Sequence, residues 1–291
     1  MENKSVLIVP ADSIREILPQ NSFTELYHLP EFMAAVAPSE CWYARVENPR
    51  YGSVFFPFTG QKWLWKWRIY QASFCQRFAP LSVSGFVHPE HWETWTQWME
   101  SHCWFGSWSF YPQPAIPESK KFKNQYFIFN GTEDEILNRW KSNRKHGLKK
   151  AKACTVEKLE LVTFFSELKK VLKKSSNSKW KPSLKEIQIL KRISKLELPD
   201  LDCLPFGVFL KDECVSLVLL TRFQNRFHYL FSMSSPLGFE LESVTLFFSQ
   251  MIQNFSGTGL IFDFEGSNIP GVNSFFRSLG AQEEYYGNLT I

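Results

Sequence analysis

Between residues 125 and 291 the hydrophobic period of the chain switches repeatedly between that of a strand and that of a helix, and the order of the switches leaves few folds open. A strand at 125–130 closes at Gly131, and Thr132 with Glu135 three residues on makes a capping box that starts a helix running to about Ala151. Helices are expected at 162–174 and 183–196. Strands follow at 206–211 and 214–222, joined at Asp212-Glu213, and at 227–233. A helix over 241–255 carries Val244, Phe247, Phe248, Met251 and Ile252. A buried strand at 259–264, a helix over 270–279 stopped by Gly280, and a terminal strand at 285–291 complete the series. Alternation of this kind specifies a mixed α/β domain around one sheet.

The first part of the chain reads less regularly. After an N-terminal loop, a helix begins at Pro30, a residue suited to a first helical turn. Strands are expected at 42–46, 53–58 and 61–70. In the last, Trp63, Trp65 and Trp67 alternate with Leu64, Lys66 and Arg68, which would place all three indoles on one sheet face. His88-Pro89-Glu90 opens a helix in which Trp92, Trp95, Trp98 and Met99 share a face, and 104–111 is a further strand. Aromatic residues make up 16% of the chain, and these tryptophans are expected in the core rather than lining a groove for sugars or bases. Pro112, Pro114 and Pro117 break the pattern, so the chain is read as two halves, 1–124 and 125–291.

With 44% hydrophobic and 21% charged residues the chain is a folded, globular one and disorder is excluded. No run approaches the ~18 uncharged apolar residues of a membrane-spanning helix. The apolar run Val6–Val9 is too short for a signal peptide, so a cytoplasmic location is expected. Six cysteines are scattered without a C-x-x-C pair, which suggests free, mostly buried thiols. His88, His91, His102 and Cys103 match no zinc spacing, and no metal is expected.

The net charge of +4 conceals a strong asymmetry. Residues 131–195 carry 18 Lys and Arg against 7 acids, whereas 196–291 carry 4 against 11. Within the block, Arg139, Lys141, Arg144, Lys145, Lys149, Lys150 and Lys152 occur with no acid between them, beside His146. Ile136, Trp140, Gly147 and Ala151 form the buried stripe of this helix, with Asn143 expected to continue it. Gly147 costs about 1 kcal/mol against Ala and points to close packing or ligand approach. Lys141, Lys145 and Lys149 repeat every four residues, an arrangement that is destabilising without a counter-anion. An anionic partner such as phosphate or RNA is one reading, and a solvated lysine-rich face is the other. Lys169, Lys170, Lys173, Lys174, Lys179 and Lys181 extend the block, with Trp180 able to stack a base or to pack on its own domain.

Three groups of residues carry a resemblance. Trp140-Lys141-Ser142-Asn143-Arg144-Lys145 through Ala151 is similar to a W/F-K-S-N-x-R helix, Phe262-Asp263-Phe264-Glu265-Gly266-Ser267 to a D-F-x-G turn, and Gly271-Val272-Asn273-Ser274-Phe275-Phe276-Arg277 through Ala281 to a G-V-x-x-F helix and its stop. Together they resemble the FemAB-like branch of the GNAT acyltransferases. The resemblance covers 125–291 well, while 1–124 fits as a degenerate first half, with Tyr27-His28-Leu29-Pro30 echoing a helix start. Two departures stand out: the usual Arg is Lys145, with Arg144 one place earlier, and the loop that cradles the pyrophosphate of CoA in GNAT enzymes reads 234–243 with the single glycine Gly238 and with Glu240 and Glu242.

The resemblance implies an α/β, mixed-sheet GNAT-like fold in two tandem halves, and acyl or aminoacyl transfer to an amine, a cell-envelope precursor being one such acceptor. No cofactor would be tightly bound. The donor would be aminoacyl-tRNA or acyl-CoA, with tRNA contacted through 139–181. Arg144, Lys145, Lys149, Ser232, Gly238, Ser243 and Arg277 would bind substrate or acyl donor. Asp263 and Glu265, at i and i+2 at the end of a buried strand, could take a proton from an amine or bind an ammonium, and Tyr229 could protonate a leaving group. The alternative to an enzyme is a non-catalytic scaffold that grips RNA or an anionic glycan through the Lys/Arg block.

Overall fold

A computed structural model of the chain describes residues 5–112, 119–175, 181–266 and 268–291. Lys179 and Trp180, and with them any base stacking, lie outside these residues, as do Pro114, Pro117 and Ser267. The chain divides into two compact units: Met1–Phe122, Gln188–Leu196 and Tyr285–Ile291 form the first, and Lys123–Ile187 and Glu197–Glu284 the second. The first unit thus ends near residue 124 but also takes in two later segments. The apolar residues Ile189, Leu190 and Ile193 are buried in it, and residues 287–290 pair with its strand 107–110.

In chain order the elements are β1 (Ser5–Pro10), α1 (Ile14–Ile17), α2 (Pro30–Val36), β2 (Cys41–Asn48), β3 (Gly52–Trp63), β4 (Lys66–Tyr70), the short β5 (Leu81–Ser82), α3 (Pro89–His102) and β6 (Cys103–Phe110). Then come β7 (Lys120–Ile128), α4 (Glu133–Asn138), α5 (Ser142–Lys150), β8 (Cys154–Lys158), α6 (Leu161–Lys174), α7 (Leu184–Ile193), β9 (Leu201–Leu210), β10 (Glu213–Phe223) and β11 (Arg226–Ser234). The chain ends with α8 (Pro236–Glu240), α9 (Ser243–Phe255), β12 (Ile261–Asp263), α10 (Pro270–Ser278) and β13 (Gln282–Thr290).

The two units repeat one strand plan. In the first, the order β1-β2-β3-β4-β6-β13 is antiparallel except for the parallel pair β4 and β6. In the second, β8-β9-β10-β11-β12-β7 is antiparallel except for the parallel pair β11 and β12. A parallel pair needs a crossover, which α3 supplies in one unit and α8 with α9 in the other. The core of the second unit packs α4, α9 and α10 on one sheet face through Ile136, Phe247, Phe248, Met251, Ile252, Phe262, Phe264 and Phe276.

Several expectations are corrected. The strand 61–70 is instead the end of β3, a two-residue turn and β4, because Leu64 adopts φ 55° and reverses the chain. Trp63 and Trp65 are consequently exposed and only Trp67 is buried. The helix 132–151 is broken: Lys141 is extended, and α4 and α5 are separate. The break turns Asn143 to solvent, while Ile136, Trp140, Gly147 and Ala151 stay buried as expected. The N-terminal loop holds β1, and 154–158 forms β8. His88 and His91 serve α3, whose cap they build, and His91 also bonds the carbonyl of Gly52. None of the six cysteines is in a disulfide, and burial pushes the thiols of Cys41, Cys103, Cys203 and Cys214 up to about 12. Among the described residues no helix is long and apolar enough to cross a membrane.

Candidate active site

The parallel pairing of β11 with β12 lasts for three residues, Arg226 with Ile261, Phe227 with Phe262, and His228 with Asp263. There β12 ends while β11 runs on to Ser234, so the sheet parts beyond His228 and Asp263. Open α/β sheets bind ligands beyond the carboxyl ends of parallel strands. Register places Arg226, His228 and Asp263 on one face, and the antiparallel pairing of Asp263 with Tyr126 brings Asn124 to that face as well. The opposite face carries Phe227 and Phe262 into the core.

Asp263 is fully engaged. Its Oδ2 lies 2.5 Å from Nη1 of Arg226, and its Oδ1 accepts from Asn124 Nδ2 at 2.9 Å and from the Glu265 amide at 2.9 Å. Asn124 also donates to Glu284 at 2.8 Å and accepts from the Gly266 amide at 3.0 Å. These bonds fix the turn after β12, where Glu265 takes φ 57° and Gly266 φ 93°. Glu265 therefore does not follow the strand alternation from Asp263. Its carboxylate turns back to His228, with Oε1 2.5 Å from Nδ1. Both side chains are at least nine-tenths buried.

The site thus holds three carboxylates, one guanidinium and one imidazole. Donor atoms of His228, Asp263 and Glu265 lie within 4.8 Å of one another, close enough to touch one cation. The same groups already bond within the protein, Asp263 to Arg226, Asn124 and the Glu265 amide, and His228 to Glu265.

The other residues expected to act lie elsewhere. A bulge opposite Leu219 and Leu220 leaves β11 with one extra residue, so Tyr229 and Ser232 face the core together. The Tyr229 ring packs against Phe248, Phe262, Phe264 and Phe276, its hydroxyl bonds Ser232, and burial raises its phenol well above the ordinary range.

The turn before α9 is closed on itself. A Cβ at Gly238 would lie 2.2 Å from the Val215 carbonyl, and buried Ser243 donates to the Gly238 carbonyl and shares a hydrogen bond with Ser216. Glu242, at φ 52°, puts its carboxylate at the N-terminus of α9, where it pairs with Arg144 at 2.8 Å and Lys150 at 3.4 Å. Here is the counter-anion that the basic helix needs on its inner side. It also accounts for Gly147, since a Cβ there would lie 2.3 Å from Glu242 Oε2. Lys145 and Lys149 point outward, and with Lys141 they pair with no carboxylate among the described residues. Arg277 lines a separate cleft of about 490 Å³ with Lys123, Lys141 and Asn273.

Asp263 and Glu265 are therefore brought together, but through Asn124, Arg226, His228 and Glu284, none of which the sequence reading singled out. The signal for two of them is present: Arg226 and His228 are the two basic residues of their strand and stand at alternate positions on either side of the apolar Phe227.

No family model matches the chain, and neither does any curated protein. Solved structures do. FemX is similar over 97% of this chain and 96% of its own, with a TM-score of 0.59 and 12% identity. The C-terminal domain of a putative lysylphosphatidylglycerol synthetase from Agrobacterium fabrum is similar over 90% of this chain and 86% of its own, with a TM-score of 0.56 and 10% identity. L-PGS from Bacillus licheniformis covers 93% and 91%, with a TM-score of 0.52 and 10% identity. The FemAB-like architecture expected from the sequence is the one observed: this chain has the fold of FemX, a mixed-sheet α/β fold repeated in two units.

Proposed function

We propose that the chain is an N-acyltransferase that moves an aminoacyl or acyl group from a carrier to an amine, with Glu265 as the group that takes the amine proton. The observation that carries this reading is the buried His228–Glu265 pair at the parting of β11 and β12. The amine nitrogen would bond to the carbonyl carbon of the donor and give up a proton to the Glu265 carboxylate. His228, 2.5 Å away, holds that carboxylate and shares the proton. Collapse of the tetrahedral adduct breaks the bond to the carrier, whose oxygen or sulfur leaves with the proton. Asp263, with both oxygens committed, is a positioning residue that sets the turn on which Glu265 sits. The names of FemX and of the lysylphosphatidylglycerol synthetases agree with a transferase of this class.

The donor we favour is aminoacyl-tRNA. The Glu242 carboxylate occupies the helix terminus at which a GNAT enzyme would seat pyrophosphate, and it already takes the Arg144 and Lys150 that a phosphate there would need. The outward lysines Lys145 and Lys149 remain available to a nucleic-acid backbone. These same lysines favour a second reading, a non-catalytic scaffold that binds RNA or an anionic glycan. Titration with bulk tRNA and with acetyl-CoA, each at low and high salt, tests the donor. Steeply salt-dependent tRNA binding without CoA binding supports it, and saturable CoA binding overturns it. Activity lost in Glu265→Gln with tRNA binding retained separates enzyme from scaffold.

A further inference from the structure

The turn that overturns the expected strand at 61–70 leaves a set of large apolar side chains in water. Trp63, Leu64 and Trp65 at the tip of the β3–β4 hairpin are 69%, 63% and 68% exposed, and Trp104 and Phe105 of the neighbouring β6 are 47% and 54% exposed. Trp65 and Trp104 rings lie 6.0 Å apart, so the residues form one patch and are not scattered. Isolated exposed apolar residues need no explanation, but a contiguous patch of this kind marks an interaction site.

The charges that the strands of the patch carry are all of one sign, and the acid bonded at their far end is Glu40, on Gln61 and Tyr70. Lys62, Lys66 and Arg68 stand on the hairpin, and neither 61–70 nor 103–110 contains an acid. The cations keep to the aromatic surface: Lys66 Nζ is 5.2 Å from the Trp104 ring, and the Arg68 guanidinium is 5.3 Å from Phe105. Cys103 and Trp67, which begin the parallel pair of β6 with β4, are buried, so the exposed rings sit on a rigid sheet end.

We propose that this hairpin tip docks the protein on an anionic phospholipid bilayer. Indoles favour the headgroup boundary, where the ring is dehydrated and its N–H stays wet. Three cations beside them, two with their charged ends at the rings, meet the negative surface potential of acidic lipids. A tip of two residues flanked by rings on the next strand enters to headgroup depth and no further, so the docking is peripheral and reversible. The inference is independent of the transfer chemistry proposed above, which lies in the other unit.

The test is co-sedimentation of the full-length protein with large vesicles of phosphatidylcholine alone and of phosphatidylcholine with phosphatidylglycerol. Binding is expected to the acidic vesicles, weaker by at least about tenfold for Trp63→Ser/Trp65→Ser and by about fivefold for each charge removed in Lys62→Gln and Lys66→Gln. Lys62, Trp63 and Trp65 are exposed and Lys66 is half-buried, and unchanged melting temperatures verify folding. Lack of binding to the acidic vesicles, or equal binding by the double tryptophan variant, overturns the proposal. Self-association in light scattering that the tryptophan variant abolishes, without vesicle binding, assigns the tip to a second copy of the chain and likewise overturns it.

Discussion

The imidazole of His228 and the carboxylate of Glu265 meet at 2.5 Å across 37 residues of sequence. The contact exists because β12 stops one residue after Phe262 while its parallel neighbour continues, and because Glu265 adopts a left-handed conformation that folds its side chain back over the strand end.

Glu265 and Asp263 are both acids, yet they should fail differently. Glu265→Gln removes the proton acceptor and should lower transfer by roughly 100-fold or more at an unchanged melting temperature. Asp263→Asn removes the nearest carboxylate from Arg226 and loosens the turn, so it should cost about 3 kcal/mol of stability as well as activity. Thermal unfolding beside single-turnover transfer separates the two.

Three glycines should rank by what their Cβ atoms would meet. Gly238→Ala drives a methyl to 2.2 Å from a backbone carbonyl and should destabilise by roughly 3 kcal/mol. Gly147→Ala meets the Glu242 side chain, which can move at the expense of its pair with Arg144, so the loss should be smaller, about 1 kcal/mol. Gly271→Ala, in the first turn of α10 with nothing within 4 Å, should be neutral or stabilising by up to about 1 kcal/mol. Denaturant midpoints check the order.

His28 supplies an acid sensitivity. Burial lowers its pKa from 6.5 to about 4, so the folded state holds it neutral while the unfolded state charges it. The corresponding stability is present above pH 6.5 and is lost as the pH falls toward 4, reaching about 3 kcal/mol. The difference in stability between His28→Gln and the parent protein, followed over that window, should shrink by this amount.

The buried thiols act at the other end of the scale. With Cys41, Cys103, Cys203 and Cys214 pushed up to about 12, the fold keeps them protonated and the unfolded chain releases their protons first. Their contribution is complete below pH 9 and declines as the pH rises toward 12. Native protein at pH 8 should therefore react slowly with a disulfide reagent and titrate all six thiols only when denatured.

The two classes of basic residue on α5 should also separate. Lys145→Glu/Lys149→Glu should weaken RNA binding and reduce the salt slope by about two, with little change in stability. Arg144→Ala should instead lower stability, since its guanidinium holds Glu242 and covers Phe275.

Much of this architecture is written in local pattern. The capping box at Thr132, the Phe-rich α9, the buried strand before Asp263 and the glycine stop after α10 each depend on neighbours a few residues apart, and each appears where the sequence places it. The tryptophans at 63–67 show where such reading fails. Their alternation is that of a strand, but Leu64 in a left-handed turn interrupts it, and a turn conformation in a non-glycine residue leaves no compositional mark. Asn143 fails for a related reason, since one extended residue at Lys141 puts it in the exposed first turn of a new helix instead of the middle of a longer one.

The sequence by itself determined the order of elements, the two acids at the end of a buried strand and the basic block before them, because helix and strand periods and charge are local properties. Tertiary structure alone decided which strands part, and therefore that His228 and Arg226 reach Glu265 and Asp263. It also decided that Glu242 neutralises the inner side of the basic helix and that Tyr229 belongs to the core. Those outcomes depend on register across strands far apart in the chain, where a shift of one residue exchanges the two faces of a sheet.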